Sequence, residues 1–304
     1  MSSDNPMEAI PGRSGSDQTA GGPARRPEDA EIDVYGLTHP GLVRDKNQDH
    51  FLIGSIRRQL HVVATSLPLP INQTPNGERL AFVAMVADGV GGGRGGEVAS
   101  RMAIEEIGAY IAECTDAFHR ADPQGAEFID VLEKAALDTH TKLQAASQAD
   151  PERRGMATTL TLWLGVWPWI YVLQVGDSRY YLYRDGNLCQ ISRDQTMAQD
   201  LIDQGILPPN QAASSRWSNV LFSSIGGSQA LPVVTRLPGT WDSVHLICSD
   251  GLTRHVDNEQ IARRLRTMTS AKSACENLLE DAIRGGGSDN ITIIVGRSVP
   301  LTAL

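Results

Sequence analysis

Five aspartates lie where predicted strands begin or end, and each has small or polar neighbours. Asp88 stands in VADG, Asp177 in VGDS, Asp250 in CSDG and Asp289 in GSDN, while Asp49 in NQDH precedes an apolar run. Buried carboxylates are strongly disfavoured when uncompensated, and several that met at one place would repel one another. Divalent cations would remove both penalties. An oxygen-only set of donors favours Mg²⁺ or Mn²⁺ over zinc.

Each of these motifs has a simpler explanation when it is taken alone, because Asp-Gly and Asp-Ser pairs are frequent in turns. The pair Asp185-Gly186 in RYYLYRDGNL is predicted to be such a turn. Single short motifs have low specificity, whereas five recurrences at strand ends favour one shared metal site.

Glycine is unusually dense directly after Asp88. The stretch VADGVGGGRGGEVAS places six glycines among the eight residues that follow this aspartate. Glycine is costly to order, so this density needs a backbone reason. Either the chain turns sharply there, or a phosphate, a metal ion or a neighbouring strand approaches the backbone closely.

An ordered set of segments resembles the metal-dependent protein serine/threonine phosphatases of type 2C, in their short bacterial form. Between Ile32 and Gly296 the segments are RDKNQD, VADGVGG, GMATTLT, VGDSRYYLYRDG, SSIGGS, CSDGL and SDNITIIV. The resemblance implies an α+β fold, a four-layer αββα sandwich in which helices flank two central antiparallel β-sheets. It also implies that a metal-bridging hydroxide at a binuclear Mn/Mg centre hydrolyses phosphoserine and phosphothreonine in proteins.

The resemblance further implies which residues form the catalytic metal centre. Asp88 would bridge the two ions, and the carbonyl of Gly89 would bind one of them. Asp250 and Asp289 would complete the ligand set, with Asp49 bound directly or through water. Two divalent ions would balance the four carboxylates.

Two more residues receive roles from the resemblance. Arg44 lies five residues before Asp49 and would hold the substrate phosphate through a forked contact that lysine cannot imitate. Asp177 would help to bind a third, weaker ion near the flap. The alternative for Asp177 is a turn cap formed with its own backbone.

The sequence departs from eukaryotic members of that family at two positions. Gln48 and Val90 stand where those proteins commonly have Glu and His. Val90 cannot donate a proton, so the acid that protonates the leaving group stays unassigned, unless water on the third ion supplies the proton. His50 is expected to point away from the site. His245 lies in an apolar strand and Cys248 ends that strand, and both are predicted to be core residues.

The elements that must position these residues are mostly adjoining strands, which favours antiparallel α+β over a doubly wound parallel fold. Helical spacing predicts helices over about 97–114 and 128–143. Residues 1–30 are nearly free of large apolar side chains and are predicted to be a disordered tail. Residues 31–299 are predicted to form one phosphatase domain, with a flap at about 196–230 beside the metal site.

Composition excludes several function classes. The 304 residues carry a net charge of −9 at a pI of about 5.3, which argues against nucleic acid or anionic membrane as a partner. The longest apolar stretch, LTLWLGVWPWIYVL, is too short for a membrane span. Four cysteines without a CxxC pair and the lack of a secretory signal lead us to expect a cytoplasmic protein.

The expected partners are phosphorylated proteins, the targets of a Ser/Thr kinase, and the protein is expected to be a monomer. A rival hypothesis is a catalytically weak or inactive phosphoprotein-binding module on the same fold. Loss of metal ligands would mark such a module, and every expected ligand is present in the sequence.

Overall fold

The computed structural model describes residues 25–57, 59–68, 77–90, 95–114, 127–212 and 215–301. Strands predominate in this part of the chain. They are β1 (Ile32–His39), β2 (Asp49–Ile56), β3 (Leu60–Thr65), β4 (Ala81–Val90), β5 (Ala157–Thr158), β6 (Leu160–Val166), β7 (Trp169–Val175), β8 (Arg179–Arg184), β9 (Asn187–Gln190), β10 (Val233–Pro238), β11 (Val244–Cys248) and β12 (Ile291–Ser298).

The strands form two antiparallel sheets. The first sheet has the order β1-β12-β11-β8-β9. The second has the order β10-β7-β6-β4-β2-β3, and the short β5 pairs with the end of β4.

Helices accompany both sheets. They are α1 (Gly95–Glu113), α2 (Glu127–Ala149), α3 (Met197–Asp203), α4 (Asp250–Thr253), α5 (Asn258–Arg266) and α6 (Ala271–Arg284). Among the described residues, none of these helices combines the length and apolar character needed to cross a membrane.

Three apolar clusters define the layers. Side chains of successive strand residues alternate between faces, so Phe51 and Ile53 meet the first sheet while Leu52 packs beneath α1 and α2. A third cluster, with Leu246 and Ile293, joins the first sheet to α5 and α6. The α+β fold with two central antiparallel sheets and helices outside them is therefore confirmed.

The N-terminal boundary differs from the sequence prediction. Residues 25–30 belong to the predicted tail 1–30, yet they pack on the folded unit. The indole Nε1 of Trp241 donates to the carbonyl of Arg25 at 2.9 Å, and the Arg25 guanidinium lies over that ring. Polar contacts rather than apolar burial hold this segment, which is why composition did not indicate it. Residues 1–24 lie outside the described residues.

Candidate active site

The pairing of β2 with β4 brings the first two predicted site residues together. Asp49 and Asp88 are directly opposite each other in the antiparallel register. The backbone of Asp88 is held on its other side, because its N–H donates to Thr159 Oγ1 at 3.0 Å and its carbonyl accepts from Thr158 Oγ1 at 2.9 Å. Both carboxylates therefore lie at one end of interior strands of the second sheet, which are paired on both sides.

Two hydroxyl groups at the end of the first sheet bind the carboxylate of Asp49. Its carboxyl Oδ2 accepts hydrogen bonds from Ser249 Oγ at 2.7 Å and Thr292 Oγ1 at 2.8 Å. Its Oδ1 is buried and has no hydrogen-bond partner among the described residues. Burial raises the pKa of Asp49 to about 7. Sequence reasoning missed both hydroxyl donors: Ser249 stands beside Asp250, but Thr292 lies three residues after Asp289 and gave no signal.

Asp250 begins α4 directly after β11 and is held by an arginine one turn later. Arg254 Nε donates to Asp250 Oδ2 at 3.0 Å, and Arg254 Nη2 donates to the same oxygen. The other oxygen, Oδ1, is buried without a hydrogen-bond partner in the described parts of the chain. Burial raises the pKa of Asp250, and the charge of Arg254 opposes that shift. Arg254 was not among the predicted site residues.

Asp289 precedes β12 and forms a bidentate pair with Arg44. The Nε and Nη2 atoms of Arg44 donate to Asp289 Oδ1 and Oδ2, both at 2.8 Å. Arg254 Nη2 also lies 3.7 Å from Asp289 Oδ2. Arg44 is half exposed, with 54% of its side chain accessible. The structure therefore places the predicted phosphate-binding arginine against a predicted metal ligand, at the solvent side of the site.

Asn290 holds the loop that carries Arg44. Its Nδ2 donates to the carbonyls of Pro40 and Lys46, both at 2.9 Å, and its Oδ1 accepts from the backbone N–H of Gln48 at 2.8 Å. This single buried amide thus connects β12 to both ends of the loop. The sequence offered no signal for this role beyond the segment GSDN.

Close packing accounts for glycine at position 89. A Cβ atom there would lie 2.2 Å from the carbonyl oxygen of Gly96 and 2.8 Å from that of Gln48. The first turn of α1 therefore approaches the backbone at Gly89. The sequence suggested a phosphate, a metal ion or a strand as this neighbour, but not a helix. The role of the Gly89 carbonyl as a ligand stays a prediction. Residues 91–94 lie outside the described residues.

Asp177 follows β7 after Gly176, whose φ of +102° favours glycine. The Asp177 side chain is buried, with 8% of the residue exposed. Burial raises its pKa well above the usual range, and the neighbouring charge of Asp250 adds to the shift. Within the described residues, none of the hydrogen bonds involves this carboxylate, so the turn-cap alternative has no support from geometry.

The residues predicted to be core have core environments. His245 Nδ1 is 2.9 Å from the hydroxyl of Tyr180, and burial lowers the pKa of His245 to about 4. Cys248 is fully buried, which raises its pKa to about 12. His50 Nδ1 lies 3.1 Å from Ser100 Oγ in α1, away from the carboxylates as predicted.

The segment predicted as a flap, 196–230, is anchored beside the site. Ile225 is buried and forms a β-bridge with Thr158, the residue whose hydroxyl binds the Asp88 carbonyl. The next backbone N–H, that of Gly226, donates to His140 Nδ1 in α2 at 3.0 Å. The influence of this segment on substrate choice stays a prediction.

The donor chemistry fits divalent cations. Two buried carboxylate oxygens, Oδ1 of Asp49 and Oδ1 of Asp250, have no hydrogen-bond partner within the described ranges, and hard oxygen donors suit Mg²⁺ and Mn²⁺. In the described residues no three His, Cys, Asp or Glu side chains form a ready-made coordination cluster. Arg44 and Arg254 bind the outer carboxylates instead. Oδ1 of Asp250 could bind a cation while Arg254 keeps Oδ2, whereas Asp289 would have to exchange Arg44 for a cation.

Comparison with known proteins gives one consistent result. The sequence model of the family "Protein phosphatase 2C" matches residues 73–284. The chain is 36% identical over 215 residues to the serine/threonine protein phosphatase PstP of Mycobacterium tuberculosis, a match that covers 71% of this chain but only 40% of PstP.

Two solved structures extend this comparison. The catalytic domain of PstP in complex with two manganese ions is similar with a TM-score of 0.67 and 29% identity, covering 88% of this chain and 99% of that chain. The serine/threonine phosphatase of S. agalactiae is similar with a TM-score of 0.74 and 25% identity, again covering 88% and 99%.

Proposed function

Because this chain belongs to the protein phosphatase 2C family, we propose that it hydrolyses phosphoserine and phosphothreonine esters in proteins with two divalent cations, Mn²⁺ or Mg²⁺. The observation that carries this proposal is the meeting of the two sheets at Asp49. Its Oδ2 is held by Ser249 and Thr292, while its Oδ1 is buried and has no hydrogen-bond partner in the part of the chain that the structure describes. Such an arrangement costs stability unless a cation uses the unpaired oxygen.

The proposed ligands are Asp49, Asp88, Asp250, Asp289 and the carbonyl of Gly89. Cations bound there would supply Lewis acidity to the phosphoryl group and to water. The chain itself contributes rigidity, because Asp88 projects from a strand paired on both sides and Asp49 is bonded across the sheets. Metal ligands that are oriented by outer hydrogen bonds bind more tightly.

Arg44 is the proposed phosphate-binding residue. Its guanidinium already makes a forked, two-bond contact with a carboxylate at the edge of the site. A phosphate presents the same geometry of paired oxygen acceptors. Arg44 would exchange Asp289 for the substrate once cations had taken over that carboxylate.

Asp177 is the proposed ligand of a third, weaker cation beside the flap. It is buried, carries no capping hydrogen bond among the described residues, and lies within the electrostatic range of Asp250. Val90 offers no proton, so this part of the site is also where we place the source of the leaving-group proton.

The proposed substrates are proteins phosphorylated by a Ser/Thr kinase, which the enzyme would meet in the cytoplasm as a monomer. The direct test is phosphate release from a phosphothreonine peptide with Mn²⁺, with Mg²⁺ and with excess chelator. We expect turnover only with a cation. Undiminished turnover in chelator would reject the metal-dependent reaction. Tight peptide binding without turnover in Mn²⁺ would favour the phosphoprotein-binding module instead.

A further inference from the structure

The inner end of the flap, residues 223–230, is bonded to two side chains of one helix. The backbone N–H of Gly226 donates to His140 Nδ1 at 3.0 Å, and Gln144 Nε2 donates to the carbonyl of Gly227 at 2.8 Å. His140 and Gln144 lie four residues apart in α2, a spacing that places both side chains on one face of a helix. We call these two residues the α2 pair, which thus binds one backbone donor and one backbone acceptor of consecutive flap residues.

The flap backbone lies directly against α2 at this point. A Cβ atom at Gly226 would lie 3.0 Å from the Cβ of Leu143 and 3.0 Å from the carbonyl oxygen of Met156. Leu143 stands between the two members of the α2 pair in the sequence and is fully buried. The two hydrogen bonds therefore flank a close-packed contact between the flap and the helix layer.

The acceptor on His140 is available at physiological pH. A backbone N–H can only donate, so Nδ1 must present a lone pair to Gly226. Burial lowers the pKa of His140, which keeps the imidazole neutral. The proton of the ring is therefore on Nε2.

One residue connects this end of the flap to the strand of Asp88. The N–H of Ile225 donates to the carbonyl of Thr158 at 2.8 Å, and the N–H of Thr158 donates to the carbonyl of Ile225 at 2.9 Å. The hydroxyl of Thr158 in turn donates to the carbonyl of Asp88 at 2.9 Å. The inner end of the flap thus lies beside the strand end that carries a proposed metal ligand.

The outer part of the flap makes different contacts. The N–H of Met197 donates to the carbonyl of Val220 at 2.7 Å, and the N–H of Ala198 donates to the carbonyl of Trp217 at 3.2 Å. These bonds join α3 to a later part of the flap, whereas the α2 pair joins the flap to the helix layer. Loss of the α2 pair should therefore shift the flap, while Asp88 stays in a strand that is paired on both sides.

We propose that His140 and Gln144 are positioning residues that fix the flap beside the metal site and thereby set how tightly the polypeptide around a phosphorylated residue binds. The phosphate itself would be bound elsewhere, by Arg44 and the cations. A phosphopeptide is thus sensitive to the α2 pair, whereas a small phosphate ester is not. The proposal rests on the proposed phosphatase function.

Kinetics with two substrates tests the role in binding. His140→Phe keeps a flat ring but removes the acceptor, and Gln144→Met keeps the length but removes the donor. Each should raise KM for a phosphothreonine peptide by about two- to tenfold, the range for one hydrogen bond, and should not alter turnover of p-nitrophenyl phosphate in Mn²⁺. His140→Asn should restore peptide binding, because its amide oxygen branches from Cγ as Nδ1 does. A general loss of structure would instead affect both substrates.

Amide hydrogen exchange tests the α2 pair without activity. Residues 223–230 should exchange about two- to tenfold faster in His140→Phe than in the unmodified chain, because local opening becomes easier. Ser147→Ala is the matched control, since Ser147 also lies in α2 but bonds the backbone of Arg153 and Gly155; neither exchange at 223–230 nor peptide KM should change.

Three results would overturn the proposal: unchanged exchange in His140→Phe, an unchanged peptide KM in both variants, or equal effects on the two substrates. Absence of turnover of either substrate by the unmodified chain in Mn²⁺ would instead reject the phosphatase function on which the proposal rests.

Discussion

The two ends of the sheet pair have opposite balances of charge. Five aspartates near the end of β4 share two arginines, Arg44 and Arg254. Near the beginning of β4, three arginines pair with two acids in a cluster of Arg26, Arg57, Arg79, Asp29 and Glu78. We call these the acidic end and the ion-pair end.

The charges at one end stabilise the fold through ion pairs within the protein, whereas the carboxylates at the other end need a bound cation. At the ion-pair end, the charges hold the N-terminal segment on the sheets. At the acidic end, buried carboxylates exceed the available arginines, and two carboxylate oxygens have no partner among the described residues. Since an unpaired buried charge destabilises a fold, the acidic end is the region where function and stability are in conflict.

The largest expected effect comes from removing one charge at the acidic end. Asp88→Asn should lower turnover of a phosphopeptide by more than about 100-fold, because several kcal/mol of charge stabilisation are lost. In chelator the same variant should melt at a higher temperature than the unmodified protein, because burial opposes ionisation of Asp88. Arg57→Ala at the ion-pair end is the control and should lower the melting temperature while leaving turnover intact. If Asp88→Asn lowered stability in chelator, the comparison between the ends would fail.

Asp177→Asn should separate the third cation from the first two. We expect two tightly bound Mn²⁺ ions, a normal melting temperature and a loss of kcat of about 10- to 100-fold, the scale seen when a supporting group of a metal site is removed. Calorimetric titration with Mn²⁺ beside steady-state kinetics measures both quantities. An unchanged kcat with both tight sites filled would exclude a catalytic contribution from Asp177.

Arg44→Ala tests the arginine on the solvent side of the acidic end. Loss of a hydrogen bond to a charged group costs about 1.5–3 kcal/mol, which corresponds to a rise in KM of roughly 10- to 100-fold. Mn²⁺ affinity should not fall, because Arg44 occupies the Asp289 carboxylate only until cations bind it. Arg44→Lys keeps the charge but not the fork and should recover only part of the effect. A KM equal to that of the unmodified chain would exclude phosphate binding by Arg44.

Arg254→Gln tests whether the inner arginine orients Asp250. Because both Arg254 donors bind Oδ2 and leave Oδ1 unpaired, their loss should weaken Mn²⁺ binding by about tenfold. Arg264→Gln is the matched control, since Arg264 forms a similar two-bond pair with Asp281 between α5 and α6. Tighter Mn²⁺ binding in Arg254→Gln would show that Arg254 competes with the cation.

The last expected effect is a pH dependence of stability in chelator. The pKa of Asp49 is raised to about 7 by burial, so the folded protein binds this proton more tightly than the unfolded chain does. The resulting stability is present below the unfolded pKa and is lost as pH rises through about 7. Melting temperatures at pH 5 and pH 8 should show this loss, and Asp49→Asn should reduce it. A rise in stability over the same range in both proteins would contradict the assigned cause.

The sequence predicted those features that depend on local pattern. The apolar run that follows Asp49 lies in β2, and α1 begins two residues before the predicted Glu97. The positions of the five aspartates at strand ends followed from the apolar runs before or after them. The spacing of apolar residues and the composition of each segment indicate these features directly.

What the sequence could not show depends on contacts between elements. Ser249 and Thr292 matter because they reach across to Asp49 of the other sheet, which neither spacing nor residue type reveals. The sequence does not distinguish Arg254 from other basic residues. Its contact with Asp250 arises because α4 places the two residues one helical turn apart. The glycine at 89 suggested a ligand or a turn, whereas the structure shows the approach of Gly96.

The register between β2 and β4 has an evolutionary consequence. Eight consecutive pairs, from Asp49 with Asp88 to Ile56 with Ala81, set the position of the two carboxylates, and a slip of one residue would turn every side chain to the opposite face. Between the two strands, β3 pairs with β2, and the backbone N–H of Leu80 donates to the carbonyl of Ile56 at 2.7 Å. An insertion or deletion of one residue inside β2 or β4 would therefore be selected against in descendants of this chain, because it would turn one of the two carboxylates away from the site.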